Sequence, residues 1–311
     1  MRKFLITLWL TLFLFSLNYS QNLKLEREID LSFFLKPHQP HLVFAAIDSS
    51  GNIFITQRGK GTFLKLDPAG EVILTAPQTI EGEITKFDID NLGNPVCVFA
   101  GRYTENRASL PLVWFDGITG KKIREINLGE KFNLVAHLKI LRPKDIILVN
   151  GIAKDEGLPR HSLHLVDFNG NRLKSFSPLK EQAAFPEIVN RNPDYFAVDP
   201  KIDSNSLIIF QAFPSKGLID YFDYAGNRLG DTEWAGSDLF LAYSGNLWIR
   251  DKDGFKVLEK KGDRFVPIKA KIKDDQGAPI KWYPLALDSS GKIYFLGDKT
   301  LQTLKIYRLQ D

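Results

Sequence analysis

Phe44-Ala45-Ala46-Ile47-Asp48-Ser49-Ser50-Gly51-Asn52-Ile53-Phe54-Ile55 reads as two short apolar strands joined by a tight turn. Glycine tolerates the positive φ that such turns need, and the Asp side chain bonds the local backbone. Apolar residues alternate on both sides, the period of a strand.

The unit recurs along the chain. Phe87 to Phe99 turns at Asp90-Asn91-Leu92-Gly93-Asn94, and Leu138 to Val149 turns at Arg142-Pro143-Lys144-Asp145. Phe196 to Phe210 passes through Asp203-Ser204-Asn205-Ser206, and Leu239 to Ile249 through Ser244-Gly245-Asn246. Leu285 to Phe295 turns at Asp288-Ser289-Ser290-Gly291, which makes six copies. A second hairpin follows most copies, with turns at Asp67 to Gly70, Asp116 to Gly120, Asp167 to Gly170, Asp223 to Gly226 and Lys260-Lys261-Gly262. Gly51 and Gly291 are separated by five intervals over 240 residues, a mean period of 48. Two hairpins per period give four antiparallel strands, the unit of a propeller blade. A sandwich has no need of one two-turn unit six times, and a β-helix repeats at a shorter period. The expected fold is therefore all-β, a six-bladed β-propeller with four-stranded antiparallel blades.

The two ends support that count. After Leu285 only three strands remain before the chain stops, while Leu23 to Leu31 is a spare alternating strand before the first copy. Pairing the N-terminal strand as the outer strand of the last blade closes the ring and covers an exposed edge.

Residues 1–20 have a different composition. Arg2 and Lys3 precede an apolar run from Phe4 to Leu17 and then a polar stretch, the layout of a secretory signal peptide. The expected organisation is a signal peptide over residues 1–20 and one propeller over 21–311, exported to a periplasm or outside the cell. Nothing after Leu17 is apolar for long enough to span a bilayer once the signal is removed. The whole chain carries 41 basic and 37 acidic residues, a net charge of +4, of which two positive charges belong to the leader. That balance gives no basic excess for nucleic acid. Cys97, the one cysteine, sits in an apolar strand and reads as a buried, inert thiol.

At this fold the chain resembles the six-bladed NHL-repeat and gluconolactonase/regucalcin-like proteins, through the Asp-x-x-Gly-Asn-x-aromatic turn and the small residues of Ala45-Ala46-Ile47, Phe196-Ala197-Val198 and Leu285-Ala286-Leu287. The likeness implies a divalent cation at the top of the central channel, held by carboxylates and Asn from several blades. Oxygen ligands of that kind suit calcium. The acidic residues it points to are Asp88, Asp155, Glu156, Asp194 and Asp238. No cofactor is read from the residues themselves, and the metal ligands stay unknown. His161-x-x-His164 gives rings on opposite faces of a strand, and His38-x-x-His41 has no neighbouring acid, so neither pair reads as a metal site. Asp48, Asp90 and Asp288 read as turn-formers.

In a blade the tight a–b and c–d turns share one face, while the b–c and d–a connections share the other. The second set is longer and chemically varied, and binding concentrates on loops held by a rigid scaffold. The candidate ligand-binding residues on it are Arg102, Tyr103, Glu105, Arg107, Asp155, Glu156, Arg160, His161, Lys216, Trp234, Lys281 and Trp282. The expected function is a monomeric binding protein for a protein, peptide or glycan, since Arg and aromatics anchor interfaces. The alternative is a metal-dependent lactonase-like or esterase-like hydrolase at the channel mouth. A lyase of the NHL-like type stands behind it. No catalytic motif supports either enzyme.

Overall fold

The computed structural model describes residues 22–37, 42–76, 82–100, 103–104, 107–157, 160–179, 192–197, 207–213, 218–233, 240–243, 246–251, 254–261, 264–268, 273–274, 276–278, 280, 282–288, 290–297 and 301–309. Residues 1–20, His38, His41, Asp238 and the turn at Asp203 to Ser206 lie outside them.

The chain is an all-β propeller. Five four-stranded antiparallel sheets follow one another along the sequence as blades one to five: residues 43–75, 84–127, 132–178, 192–233 and 240–268. Within each, the first strand is the inner one and the fourth the outer one. The inner strands are Val43–Ile47, Ile84–Ile89, Phe132–Leu141, Asn192–Ala197 and Phe240–Tyr243. The sequence reading expected six such blades. The remaining residues form instead a mixed five-stranded sheet in which Tyr283–Leu287, Lys292–Gly297 and Thr303–Leu309 are joined by Asn22–Asp30 and Lys273–Asp274. The N-terminal strand pairs antiparallel with Thr303–Leu309, from Leu23 opposite Leu309 to Asp30 opposite Thr303. Lys273–Asp274 then adds in parallel at Asn22 and Leu23.

The tight turns follow from local chemistry. Asp48 Oδ1 accepts from the Ser50 and Asn52 N–H groups at 2.9 Å each, and Asp90 Oδ1 does the same for Leu92 and Asn94. Asp288 repeats the pattern with Ser290 and Lys292. These three aspartates are turn-formers, as their place in the repeat indicates. In the third copy the turn is a single 3-10 turn, Arg142–Lys144, closed by Asp145 at φ 51°.

Apolar residues of adjacent sheets form the core between them. Val96, Leu112 and Trp114 of blade two pack with Leu138, Ile147 and Val166 of blade three. Val43, Ile53 and Leu64 of blade one pack in the same way with Tyr294, Leu296 and Leu304 of the five-stranded sheet. The first and last sheets are thus neighbours. Cys97 is fully buried in the blade one–two core, and burial pushes its thiol well above its ordinary range. Among the described residues no helix is long and apolar enough to cross a membrane.

Candidate functional site

The two faces of the molecule are built differently. On the tight-turn face, side chains tie blades one, two and three together. Asp88, on the inner strand of blade two, is buried; its Oδ2 accepts from the Ile140 N–H of blade three at 2.8 Å. Its Oδ1 accepts from the Ile89 N–H and lies 3.5 Å from Arg142 Nη2. Arg142 Nη1 donates to the Ile47 carbonyl of blade one at 2.8 Å, so one guanidinium spans three blades. Asn91 Nδ2 donates to Asp145 Oδ2, and Lys65 Nζ donates to the Gly117 carbonyl at 2.8 Å. The Gly117 N–H in turn donates to Asn94 Oδ1 at 3.1 Å. Asp88, a carboxylate to which the family likeness pointed for a metal, therefore has both oxygens engaged in holding blades together.

The opposite face gathers chemistry at blade three. Strand Ile146–Ala153 leads into residues 154–160, the b–c connection, and His161–Asp167 returns. The connection is stapled by its own charges. Glu156 Oε2 accepts from the His161 N–H at 3.0 Å, and Glu156 Oε1 lies 2.6 Å from His161 Nδ1. A carboxylate only accepts, so Nδ1 carries the proton of this bond, in a ring 25% exposed. Burial pushes the Glu156 carboxyl up, but the hydrogen bonds from His161 and the charge of His164 and His161 outweigh it and hold it below the usual carboxylate range. Asp155 points outward, 65% exposed, with Oδ1 2.9 Å from Arg172 Nη1. Arg160 is exposed, while its carbonyl accepts from the Leu179 N–H at 2.7 Å. Asp155, Glu156, Arg160 and His161 thus share one surface.

His164 does not share it. Its ring is fully buried against Phe132, with ring centroids 5.1 Å apart, and Nδ1 meets Ser175 Oγ at 2.9 Å while Nε2 faces the Gly151 carbonyl at 3.4 Å. Burial drives its imidazole down to about 4, against the pull of Glu156. Both His164 nitrogens have partners, so the two histidines do not form a metal pair. Among the described residues no group of three His, Cys, Asp or Glu could hold a metal. Among the described residues the side-chain partner of His161 is Glu156.

The other candidates divide. Tyr103 and Arg107 belong to a small hairpin, Tyr103–Thr104 with Arg107–Ala108, inside the b–c connection of blade two. Trp282 is half-buried. Its Nε1 donates to Tyr307 Oη at 3.2 Å, Lys305 Nζ lies 4.6 Å from its ring, and it packs against Leu23, Ile280 and Phe295. That ring packs on the core of the five-stranded sheet and stays partly exposed. Arg102, Glu105, Lys216, Trp234 and Lys281 lie outside the described residues, as does Asp275 of the same connection as Trp282. The Glu156–His161 bond carried a sequence signal, a Glu five residues before a His at a strand start. The neutral, buried state of His164 carried none.

No family model matches the chain, and no curated protein is similar to it in sequence. Solved structures do share its shape. The propeller domain of Myceliophteria thermophila Cps50 (Swd1) aligns with a TM-score of 0.54 at 10% identity, covering 93% of this chain and 100% of that one. Virginiamycin B lyase from Staphylococcus aureus aligns at 0.53 and 12% identity, over 91% and 99% of the two chains. A streptogramin B lyase aligns at 0.52 and 10%, over 91% and 97%. At such identities the likeness establishes the propeller fold and nothing of activity.

Proposed function

We propose that this chain is an exported, monomeric binding propeller that engages a protein, peptide or glycan through its loop-rich face, with the blade-three connection Asp155–Glu156–Arg160–His161 at the centre of the contact. The observation that carries the reading is the asymmetry of the faces. On the tight-turn face Asp88, Asn91, Lys65 and Arg142 are committed to bonds between blades. On the loop face Asp155 and Arg160 are exposed on a connection that Glu156 holds in shape. A preorganised loop loses little entropy on binding. The lactonase-like alternative loses Asp88, whose oxygens serve Ile140, Ile89 and Arg142.

The reading takes residues 21–311 as one domain of six blades, with the five-stranded sheet as the sixth. Three observations support the count. The inner strand of each blade lies beside that of the next, and Tyr283–Leu287 lies beside both Phe240–Tyr243 and Val43–Ile47. The N-terminal strand pairs where a fourth strand belongs. The turn glycine of blade one also meets Ile29 of that strand, as the turn glycines of blades two, three and four meet the outer strand of the preceding blade. Export rests on the leader-like composition of residues 1–20.

The test pairs D155A and R160A on the loop face with N91A on the tight-turn face, all presented to extracts and glycan arrays. Binding that is lost in the first two variants and kept in the third supports the assignment. Binding lost only in N91A puts the working face on the other side.

A further inference from the structure

The connection from the N-terminal strand into blade one begins Leu31-Ser32-Phe33-Phe34-Leu35-Lys36 and belongs to the loop face, where it meets Gln302 of the last b–c connection. Its apolar residues divide. Leu31, Phe34 and Leu35 are buried in the core between blade one and the five-stranded sheet, whereas Phe33 is 64% exposed. The backbone accounts for the split. The Leu31 carbonyl accepts from the Phe34 and Leu35 N–H groups at 2.9 and 2.7 Å, a tight turn that sends Phe33 outward. The Ser32 N–H and Oγ both donate to the Asp30 carboxylate, at 2.8 and 3.0 Å.

The turn is pinned from both sides. The Leu31 N–H donates to the Gln302 carbonyl at 2.7 Å, and Gln302 Nε2 donates to the Leu35 carbonyl. From blade one, Gln57 Oε1 accepts the Lys36 N–H at 3.1 Å, and Gln57 Nε2 donates to the Lys36 carbonyl at 3.3 Å. A single exposed apolar side chain is ordinary on a protein surface. Phe33 differs from the other large ones among the described residues by its place. Leu92 and Ile118 are at the tips of tight turns, and the rest are on outer strands. There Ile73, Ile123, Leu173 and Leu229 are each the extra residue of a β-bulge, a device that guards an exposed edge against pairing. Phe33 lies on no strand and guards no edge.

The shoulder beside the ring leans basic. The Lys60 N–H donates to the Gln57 carbonyl at 3.0 Å and its Nζ lies 4.6 Å from the Phe34 ring, while Lys36 and Arg58 are exposed. Two described acids stand with these three cations: Asp30, already bonded to Ser32, and Glu83, whose carboxylate lies against Gly59. We propose that Phe33 is a second anchor of the loop face, and that it takes an apolar side chain of a protein partner from a segment that also carries Asp or Glu towards Lys36. The inference rests on the loop-face reading and names protein as the partner class. A ring displayed on a fixed turn binds at little entropic cost, and aromatic anchors carry much of an interface's energy.

The experiment places benzoylphenylalanine, a photoreactive relative of the native side chain, at Phe33, and in separate proteins at Arg160 and at Leu173 of an outer strand. Each is expressed in the producing cell and irradiated, and the joined peptides are read by mass spectrometry. Positions 33 and 160 are expected to join the same protein and position 173 none, with an acid in the segment joined at 33. Binding of that protein, once purified, is expected to weaken about thirtyfold in F33A, the weight of a hot-spot aromatic. It should weaken about threefold in K36E, the weight of one exposed charge pair, and stay at the parent's level in L173A. Phe33 is exposed, so F33A leaves the core intact. An adduct at 160 with none at 33 overturns the second anchor and leaves the loop-face reading standing; adducts at neither position remove both. The proposal is also overturned if position 33 joins lipid or a second copy of this chain, or if F33A or K36E binds as the parent does.

Discussion

Gly70, in the outer turn of blade one, and Ile29, on the N-terminal strand of the neighbouring sheet, are packed so closely that a Cβ on Gly70 would lie 2.7 Å from Ile29 Cδ1. Gly70 also sits at φ +89°, in the left-handed region. The contact joins the outer turn of blade one to the N-terminal strand. Gly70→Ala is expected to cost about 1–2 kcal/mol from the backbone alone, and more from the displaced Ile29. Gly157→Ala, where a Cβ meets nothing within 4 Å, is the control and should be close to neutral. Denaturant unfolding of both variants checks this; equal midpoints would remove the contact from any role in closure.

Gly117 is held by a different constraint. A Cβ there would stand 2.3 Å from the Gly93 carbonyl oxygen, a backbone atom that cannot swing aside. Two turns of blade two meet at this point, and Lys65 of blade one donates to the Gly117 carbonyl. Gly117→Ala is expected to destabilise by about 1–3 kcal/mol through overpacking. Lys65→Met should remove less, and the double variant should fall short of the sum because the two share one contact. Thermal melts of the three proteins decide it.

Asp88 links blades two and three through a backbone amide. Asp88→Ala leaves the Ile140 N–H without its acceptor in a buried strand, a loss of about 1–3 kcal/mol. The account predicts the same loss with and without calcium. A stabilisation by calcium that disappears in Asp88→Ala would restore the carboxylate to a metal site.

His164 sets a pH dependence. Its folded-state pKa is about 4 and its ordinary value 6.5, so between the two the unfolded chain binds a proton that the folded chain excludes. Stability is therefore full above pH 6.5 and is lost as pH falls towards 4. Glu156, Arg172 and His161 act on the same ring, and Glu156, held low by its bonds, adds a loss in the same direction. Melting temperatures of the parent should fall more steeply over that window than those of His164→Asn. Parallel curves would mean that the buried ring is not the group that titrates.

What could be read in the sequence was what is local. The Asp48, Asp90 and Asp288 turns close within four residues, so composition alone specifies them, and the alternation around them gives the strands. The pairing of the N-terminal strand with Thr303–Leu309 was legible for a different reason, since two incomplete ends needed one another. What escaped is set by neighbours far along the chain. Asp88 is bound to Ile140, 52 residues away, and nothing near it announces that amide. Trp282 looked like a displayed aromatic because its segment is polar, yet Tyr307 and Lys305 draw it into the last sheet.

The face that meets the partner can be read directly by placing a photocrosslinking amino acid at Arg160 and, in a second protein, at Ile118. Both positions are exposed, Ile118 at 83%, and they stand on opposite faces of the propeller. Expressed in the producing cell and irradiated, the position-160 protein is predicted to yield a discrete adduct that the position-118 protein does not. An adduct from position 118 with none from 160 would contradict the account and move the binding surface to the tight-turn face.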